Sequence, residues 1–284
     1  MDVSNLTHFL TVKDHSVSGE NFELYKDDVL DMLVTFPKPE GAALARYYES
    51  EDYISHTDSK RSLFEKAYHI VKSRALRNKV SLINSFTKSK GKLLDIGAGT
   101  GDFLLAAKND GWDITGIEPN AKAKNTAEQK GVRFTENEQA IADSTFDVIT
   151  MWHVLEHVPD VKKQISELHR LIKPKGTVVI AVPNFNSYDA KYYGNFWAAY
   201  DVPRHLTHFS KTAIKLLFEA QEFRLEKILP MKYDAFYVSL LSEKYKTGKM
   251  NFISAFFTGW RSNVKAKRNL EFSSHIYVLK SLKT

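Results

Sequence analysis

From Ser59 to about Phe86 the apolar residues Phe64, Ala67, Tyr68, Val71 and Ala75 recur at helical spacing, with Ser59 placed as an N-cap. That spacing predicts an amphipathic helix, ended by the Lys88–Gly91 stretch. Beyond Gly91 short apolar runs alternate with helical patterns. Strands are predicted at 92–96, 113–117, 132–134, 146–151 and 177–182, with helices at 103–109, 121–130 and 161–171. Strands and helices alternating at these lengths make βαβ units and a parallel sheet covered on both faces, so the fold class is α/β, doubly wound. After Pro183 a polar and aromatic stretch runs to Ser210. A helix at 212–220, a strand at 224–229 and a last strand at 274–280 follow, and 233–272 reads as an insertion.

The stretch before Ser59 has little periodicity and carries the turn-forming run Phe36-Pro37-Lys38-Pro39-Glu40-Gly41. It reads as a small attachment, 1–58, ahead of a main domain, 59–284, with insertions at about 183–210 and 233–272. Hydrophobic residues make up 43% and charged residues 26% of the 284 positions, which excludes a disordered or low-complexity chain. The longest apolar run, Val178–Val182, falls far short of the roughly 18 to 20 residues that span a bilayer. The first residues carry neither a basic nor an apolar leader segment and the chain has no cysteine, so a cytoplasmic location is expected and thiolate chemistry is excluded.

The sharpest chemical signal is Leu93-Leu94-Asp95-Ile96-Gly97-Ala98-Gly99-Thr100-Gly101, a strand running into a glycine-rich turn and then a helix. Glycines admit a ligand close to the backbone, and a helix start offers free N–H groups. The next strand ends at Gly116-Ile117-Glu118, placing a carboxylate where ribose hydroxyls would lie. The spacing Gly97-x-Gly99-x-Gly101 departs from the G-x-G-x-x-G of dinucleotide sites, which disfavours NAD.

These residues resemble the first two motifs of the class I S-adenosylmethionine-dependent methyltransferases. Phe146-Asp147-Val148-Ile149 and Leu171-Ile-Lys-Pro174-Lys-Gly176 resemble later motifs of that family in the same order, so the resemblance spans about Ser59 to Leu229. It implies a Rossmann-like, mostly parallel seven-stranded sheet, S-adenosyl-L-methionine as cofactor, and methyl transfer. By the same resemblance Asp95, Gly97, Ala98, Gly99 and Gly101 surround the methionine and ribose part of the cofactor, Glu118 meets the ribose, Pro119 and His153 border it, and adenine lies against 135–139. Two other readings remain open: a catalytically silent cofactor-binding module, and an NAD-dependent enzyme.

A second constellation is Trp152-His153-Val154-Leu155-Glu156-His157-Val158-Pro159. It fits the H-x-x-E-H string of a zinc protease, but it follows a parallel strand directly and Pro159 cuts it short. Residues just beyond a strand's carboxyl end face the ligand crevice. The segment resembles the Leu-Glu-His-Val element of ubiquinone-biosynthesis O-methyltransferases and of related sugar and small-molecule methyltransferases, in which the Glu-His pair lies at the substrate and can help hold a divalent cation. Here Trp152-His153 stands in place of the usual Glu-Val, and no metal is expected.

A third cluster runs from Asn184 through Trp197, Tyr200, Asp201, Arg204, His205 and His208. It reads as an aromatic lid with acid–base groups. Trp152, Asn184, Trp197, Tyr200, Arg204 and His208 are the expected substrate contacts, and His157, His205, Asp201 and Glu156 the expected catalytic groups. The acceptor is expected to be a small molecule, a sugar or a lipid-linked intermediate. The N-terminal stretch resembles the zinc-ribbon attachment of some sugar-modifying methyltransferases, with Asp27 and Leu30 where a cysteine pair would stand, so no structural zinc is expected there.

The net charge is +6, and the residues from Glu243 to Arg268 hold seven basic side chains against one acid. The excess therefore sits in one local feature, which argues against a nucleic-acid coat. That segment, which also carries Phe252, Phe256, Phe257 and Trp260, has three readings: a solvated helix packed on the domain, a contact with anionic membrane, or a phosphate-binding patch.

Overall fold

The computed structural model of the chain describes residues 5–39, 41–48, 63–135 and 137–284. Its main sheet has six strands in the order β5-β4-β6-β7-β10-β9: β4 (Lys92–Ile96), β5 (Asp113–Ile117), β6 (Phe146–Trp152), β7 (Ile172–Pro183), β9 (Phe223–Pro230) and β10 (Ser274–Ser281). The pairings β5–β4, β4–β6 and β6–β7 are parallel, whereas β10 runs antiparallel between β7 and β9. The strand predicted at 132–134 is reduced to a single parallel bridge, Phe134 to Gly116, at the β5 edge. It occupies the seventh position of the expected sheet.

Both faces of the central parallel strands β4, β6 and β7 are buried, so their inner stretches read as near-continuous apolar runs, whereas the edge strand β5 alternates. On one face Leu94, Ile149 and Met151 pack with Ile165, Leu168 and Leu171 of α4 (Val161–Leu171) and Ile214, Leu217 and Phe218 of α6 (Lys211–Glu219). On the other, Leu93 and Val148 pack with Val80 and Ile83 of α1 (Leu63–Asn84) and Phe103, Leu104 and Ala107 of α2 (Asp102–Asn109). α3 (Ala121–Gln129) follows β5, capped by the Asn120 side chain. The predicted cap Ser59 lies outside the described residues.

A second sheet unites stretches far apart in sequence. β1 (Thr7–Lys13), β2 (Asn21–Asp27) and β3 (Met32–Phe36) form an antiparallel meander, and β3 pairs with β8 (Thr207–Phe209). Val12, Phe22, Leu24 and Leu33 of the meander bury themselves against Tyr193, Trp197, Tyr200 and Val202, with α5 (Tyr188–Tyr193) at the edge. The N-terminal stretch and the 183–210 insertion thus share one sheet and one core, so a boundary at residue 58 cuts between partners. The basic insertion forms two helices, α7 (Asp234–Thr247) and α8 (Phe252–Asn269).

Candidate active site

The glycine-turn side of the crevice is made by main chain. Past the end of β4, the N–H groups of Gly97 and Ala98 both donate to the carbonyl of Ile117, at 2.8 and 3.1 Å. Gly99 N–H donates to Glu118 Oε2 at 2.7 Å, and Glu118 Oε1 accepts from Asn120 N–H at 2.8 Å, so this carboxylate ties the glycine turn to the start of α3. Gly97 has φ +71°, and a Cβ there would stand 2.3 Å from Val154 Cγ2. Gly99 has φ +54° with nothing within 4 Å of its Cβ position, leaving backbone open to a ligand. Asp95 is buried beneath the turn and accepts from Thr150 Oγ1 at 2.6 Å, as the register pairing Asp95 with Thr150 dictates. Burial raises its pKa to about 7, against the opposing Thr150 hydrogen bond and Lys79 charge.

Beyond β6 the chain enters its least regular stretch. His153 adopts φ +58°, a left-handed conformation costly for a non-glycine residue, and so turns back between two carboxylates. Its Nδ1 lies 3.3 Å from Glu156 Oε1 and its Nε2 3.1 Å from Asp234 Oδ2. Burial disfavours the imidazolium, but those two carboxylates outweigh it and raise the pKa to about 10. Trp152 stands edge-on to Phe103, with its indole N–H buried and without a hydrogen-bond partner among the described residues, and the Lys79 ammonium 4.2 Å from its ring centre. Burial lowers the pKa of that lysine, against the pull of Asp95 and Asp234. Lys79, Thr150 and Asp234 carry no motif of their own, and only the register of β4 against β6 could have pointed to Thr150.

The wall beyond β6 is made by side chains. Glu156 is 1% exposed, and neither of its carboxylate oxygens has a hydrogen-bond partner among the described residues. Burial raises its pKa, but His153, His205 and His157 draw it below the ordinary carboxylate value. His157 Nδ1 lies 3.0 Å from the Arg204 carbonyl and 3.1 Å from Tyr48 Oη. Burial and the neighbouring His205 push its pKa down to about 4, so it is neutral at physiological pH. His205 is brought in by the second sheet: Thr35 N–H donates to the Leu206 carbonyl, Thr35 Oγ1 to the His205 carbonyl, and Leu206 N–H to the Glu156 carbonyl.

One ligand atom from each of Glu156, His157 and His205 lies within 4.8 Å of the others. A buried carboxylate that accepts no hydrogen bond among the described residues, with two imidazoles each having a ring nitrogen at a backbone carbonyl (Arg204 for His157, Ala199 for His205), suits a divalent cation. The expectation of no metal rested on the missing acid before Val154. The geometry places His205 beside the Glu-His pair instead.

The lid expectation needs correction. Trp197 is 1% exposed with its Nε1–H on Asp189, and Tyr200 is 2% exposed, because both fill the core under the N-terminal meander. Arg204 is buried, holding Asp201 at 2.5 and 3.0 Å and the Tyr47 carbonyl at 2.9 Å, so Asp201 serves as its counter-ion rather than as a free base. His208 is buried against Thr35 Oγ1. Asn184 bonds to Glu271, the Phe272 carbonyl and Asn186 N–H, which braces the end of β7 instead of facing the crevice. The protease string is a single 3₁₀ turn, Leu155–His157, and lacks the long helix a zinc protease needs. Within the segment 135–139 expected at adenine, residue 136 lies outside the described residues.

A sheet of this order, with a glycine turn and an acid on adjoining strand ends, defines a class I S-adenosylmethionine-dependent methyltransferase fold. The family described as a methyltransferase domain matches residues 67–228, more than half of the chain, and the chain belongs to it. S-adenosylmethionine is the cofactor of this family. The chain is 35% identical over 107 residues to ubiquinone biosynthesis O-methyltransferase of Actinobacillus pleuropneumoniae serotype 7, covering 33% of this chain and 46% of that protein. It is 38% identical over 105 residues to the enzyme of the same name from Pseudomonas aeruginosa, covering 34% and 45%. The match thus spans less than half the length of these relatives. Among solved structures, a SAM-dependent methyltransferase from Archaeoglobus fulgidus superposes with a TM-score of 0.52 at 22% identity, over 77% of this chain and 98% of that one. The Haemonchus contortus phosphoethanolamine N-methyltransferase 2 in complex with S-adenosyl-L-methionine does so with 0.54 at 16%, over 96% and 71%. These two show the fold alone.

Proposed function

We propose that the chain transfers a methyl group from S-adenosylmethionine to a hydroxyl of a small-molecule, sugar or lipid-linked acceptor seated over Glu156, His157 and His205. The observation that carries this reading is the opposition of two surfaces: open backbone at Gly99, and a buried carboxylate set among histidines whose oxygens accept no hydrogen bond among the described residues. Bound, the cofactor supplies an electrophilic sulfonium methyl. Gly97, Ala98, Gly99 and Gly101 let the backbone close on its methionine and ribose part with Asp95 beneath, Glu118 accepts from the ribose hydroxyls, and Pro119 and His153 border the pocket. Trp152 walls the crevice toward α2.

A hydroxyl must lose its proton as it is methylated. With a pKa near 4, His157 is a weak base, so lowering the acceptor's own pKa, with the proton passing to solvent water, is the more effective route. Glu156, His157 and His205 are the residues that would hold a divalent cation, which would polarise the acceptor oxygen. Likeness to O-methyltransferases of ubiquinone biosynthesis supports an oxygen acceptor. Calorimetric titration with S-adenosylhomocysteine, with NAD as control, tests the cofactor half; binding of about −8 kcal/mol to the first and none to the second is expected. Labelled methyl donor offered with phenolic, sugar and lipid-linked acceptor pools then tests the rest. Binding to NAD alone, or homocysteine-analogue binding without transfer to any pool, would overturn the proposal.

A further inference from the structure

α8 buries the wrong side chains for a helix that belongs only to a core. Its inward residues are small: Ala255, Thr258, Gly259, Ser262 and Ala266. Gly259 lies so close to α7 that a Cβ would stand 2.9 Å from the Ala235 carbonyl oxygen. The large apolar residues point outward instead, with Ile253 73%, Phe256 58%, Phe257 56% and Trp260 51% exposed, and Val264 continuing the stripe. Their spacing places them along one helical face. An amphipathic surface helix normally does the reverse.

Around that face lie exposed Lys249, Arg261, Lys265, Lys267 and Arg268. No acid occurs between residues 244 and 270. None of these five cations pairs with a carboxylate among the described residues, and the single acid between residues 243 and 268, Glu243, is buried on Tyr193 and Ser254. No helix among the described residues is long and apolar enough to cross a membrane.

We propose that the outer face of α8 docks on an anionic lipid bilayer, lying in the interface with its aromatic stripe in the acyl boundary and its cations among the headgroups. Apolar insertion and attraction to anionic lipid act together in this mode, and Phe and Trp flanked by Lys and Arg are the residues it takes. A second copy of the chain is a poorer occupant, because a two-fold contact would set like charges against each other with no acid in the stretch to pair them. The docked hairpin reaches the crevice through Asp234, the first residue of α7, which lies 3.1 Å from His153. A lipid-linked acceptor would thus be presented from the bilayer; only this last link rests on the function proposed above.

Flotation of the full chain with vesicles tests the surface without reading any methyl transfer. Binding is expected to vesicles of phosphatidylcholine with phosphatidylglycerol, to weaken at roughly 0.5 M salt, and to be absent with phosphatidylcholine alone. Trp260 is the most exposed tryptophan, so its emission should shift to the blue on binding, and the shift should vanish in Trp260→Phe. The variant Lys249→Gln/Arg261→Gln/Lys265→Gln should lose about a hundredfold in vesicle affinity, and Phe256→Ser/Phe257→Ser/Trp260→Ser at least as much. Both should keep wild-type affinity for S-adenosylhomocysteine, which separates this proposal from the cofactor reading. Absence of flotation, equal binding to neutral vesicles, or a serine variant that floats like wild type would overturn it. So would concentration-dependent dimerisation in sedimentation velocity that the serine variant abolishes, with no vesicle binding by the parent.

Discussion

The two halves of the crevice are built from different material. On the cofactor side, Gly97 to Gly101 and Glu118 lie at the ends of adjacent parallel strands, and their contacts are mostly main-chain N–H groups reaching Ile117 and Glu118. On the acceptor side, Glu156 and His157 meet His205, brought in by a sheet whose other strands begin at Thr7. A main-chain cradle tolerates change in most side chains, whereas a side-chain cluster can be altered residue by residue without moving the sheet. On the function proposed above, one half would fix the donor and the other would be free to choose the acceptor.

The largest predicted contrast is in pH. Asp95 has its pKa raised from 3.8 to about 7, so it stays protonated where the unfolded chain has already ionised; its contribution is full below pH 3.8 and is lost as pH rises through 7. His157 has its pKa lowered from 6.5 to about 4, so its contribution is full above pH 6.5 and is lost as pH falls through 4. At about 1.4 kcal/mol per unit these are up to about 4 and about 3 kcal/mol, of opposite sign in one window. Urea unfolding between pH 4 and 7 should show Asp95→Asn gaining stability relative to wild type as pH rises, and His157→Gln gaining it as pH falls. Parallel profiles for the two variants would mean that the halves do not differ in this way.

Gly97→Val should come next. A branched side chain at φ +71°, whose Cβ would lie 2.3 Å from Val154 Cγ2, combines left-handed strain with overpacking, together about 3 kcal/mol or more. Because Val154 leads into the Glu156 turn, loss of S-adenosylhomocysteine binding in calorimetry should be accompanied by loss of metal binding. Loss of only one would show the halves to be mechanically separate.

These halves also differ in how far sequence discloses them. Asp95 to Gly101 is contiguous and its conformations are local, so the motif could be read directly, as could nearly every strand of the main sheet from its apolar run. His205 beside His157 depends on β8 pairing with β3, a contact across more than 170 residues that no periodicity encodes. In sequence Trp197 and Tyr200 suit a lid, because aromatics near a crevice do. A core formed with Leu24 and Leu33 is invisible until the meander is placed. Lys79 over Trp152 likewise follows from how α1 crosses the sheet, not from any motif.

Glu156→Gln sharpens the comparison at a smaller scale. The amide keeps the shape but removes the anion, so divalent-cation affinity and turnover should fall about 10- to 100-fold while S-adenosylhomocysteine affinity stays at wild type. A parallel fall in cofactor affinity would place Glu156 in the donor half instead.

The smallest expected effect is that of Tyr200→Phe. The side chain is 2% exposed in the core shared with the N-terminal meander, and among the described residues its hydroxyl makes no hydrogen bond, although burial raises its pKa. Removing a hydroxyl that makes no hydrogen bond among the described residues should change stability by no more than about 0.5 kcal/mol and leave both the acceptor KM and kcat unchanged. A rise in KM would mean that this core opens toward the acceptor during turnover. Unchanged kinetics, set beside the loss in Glu156→Gln, would confine the acceptor half to the Glu156–His157–His205 cluster and leave the aromatic stretch after β7 as the wall that holds His205 in place.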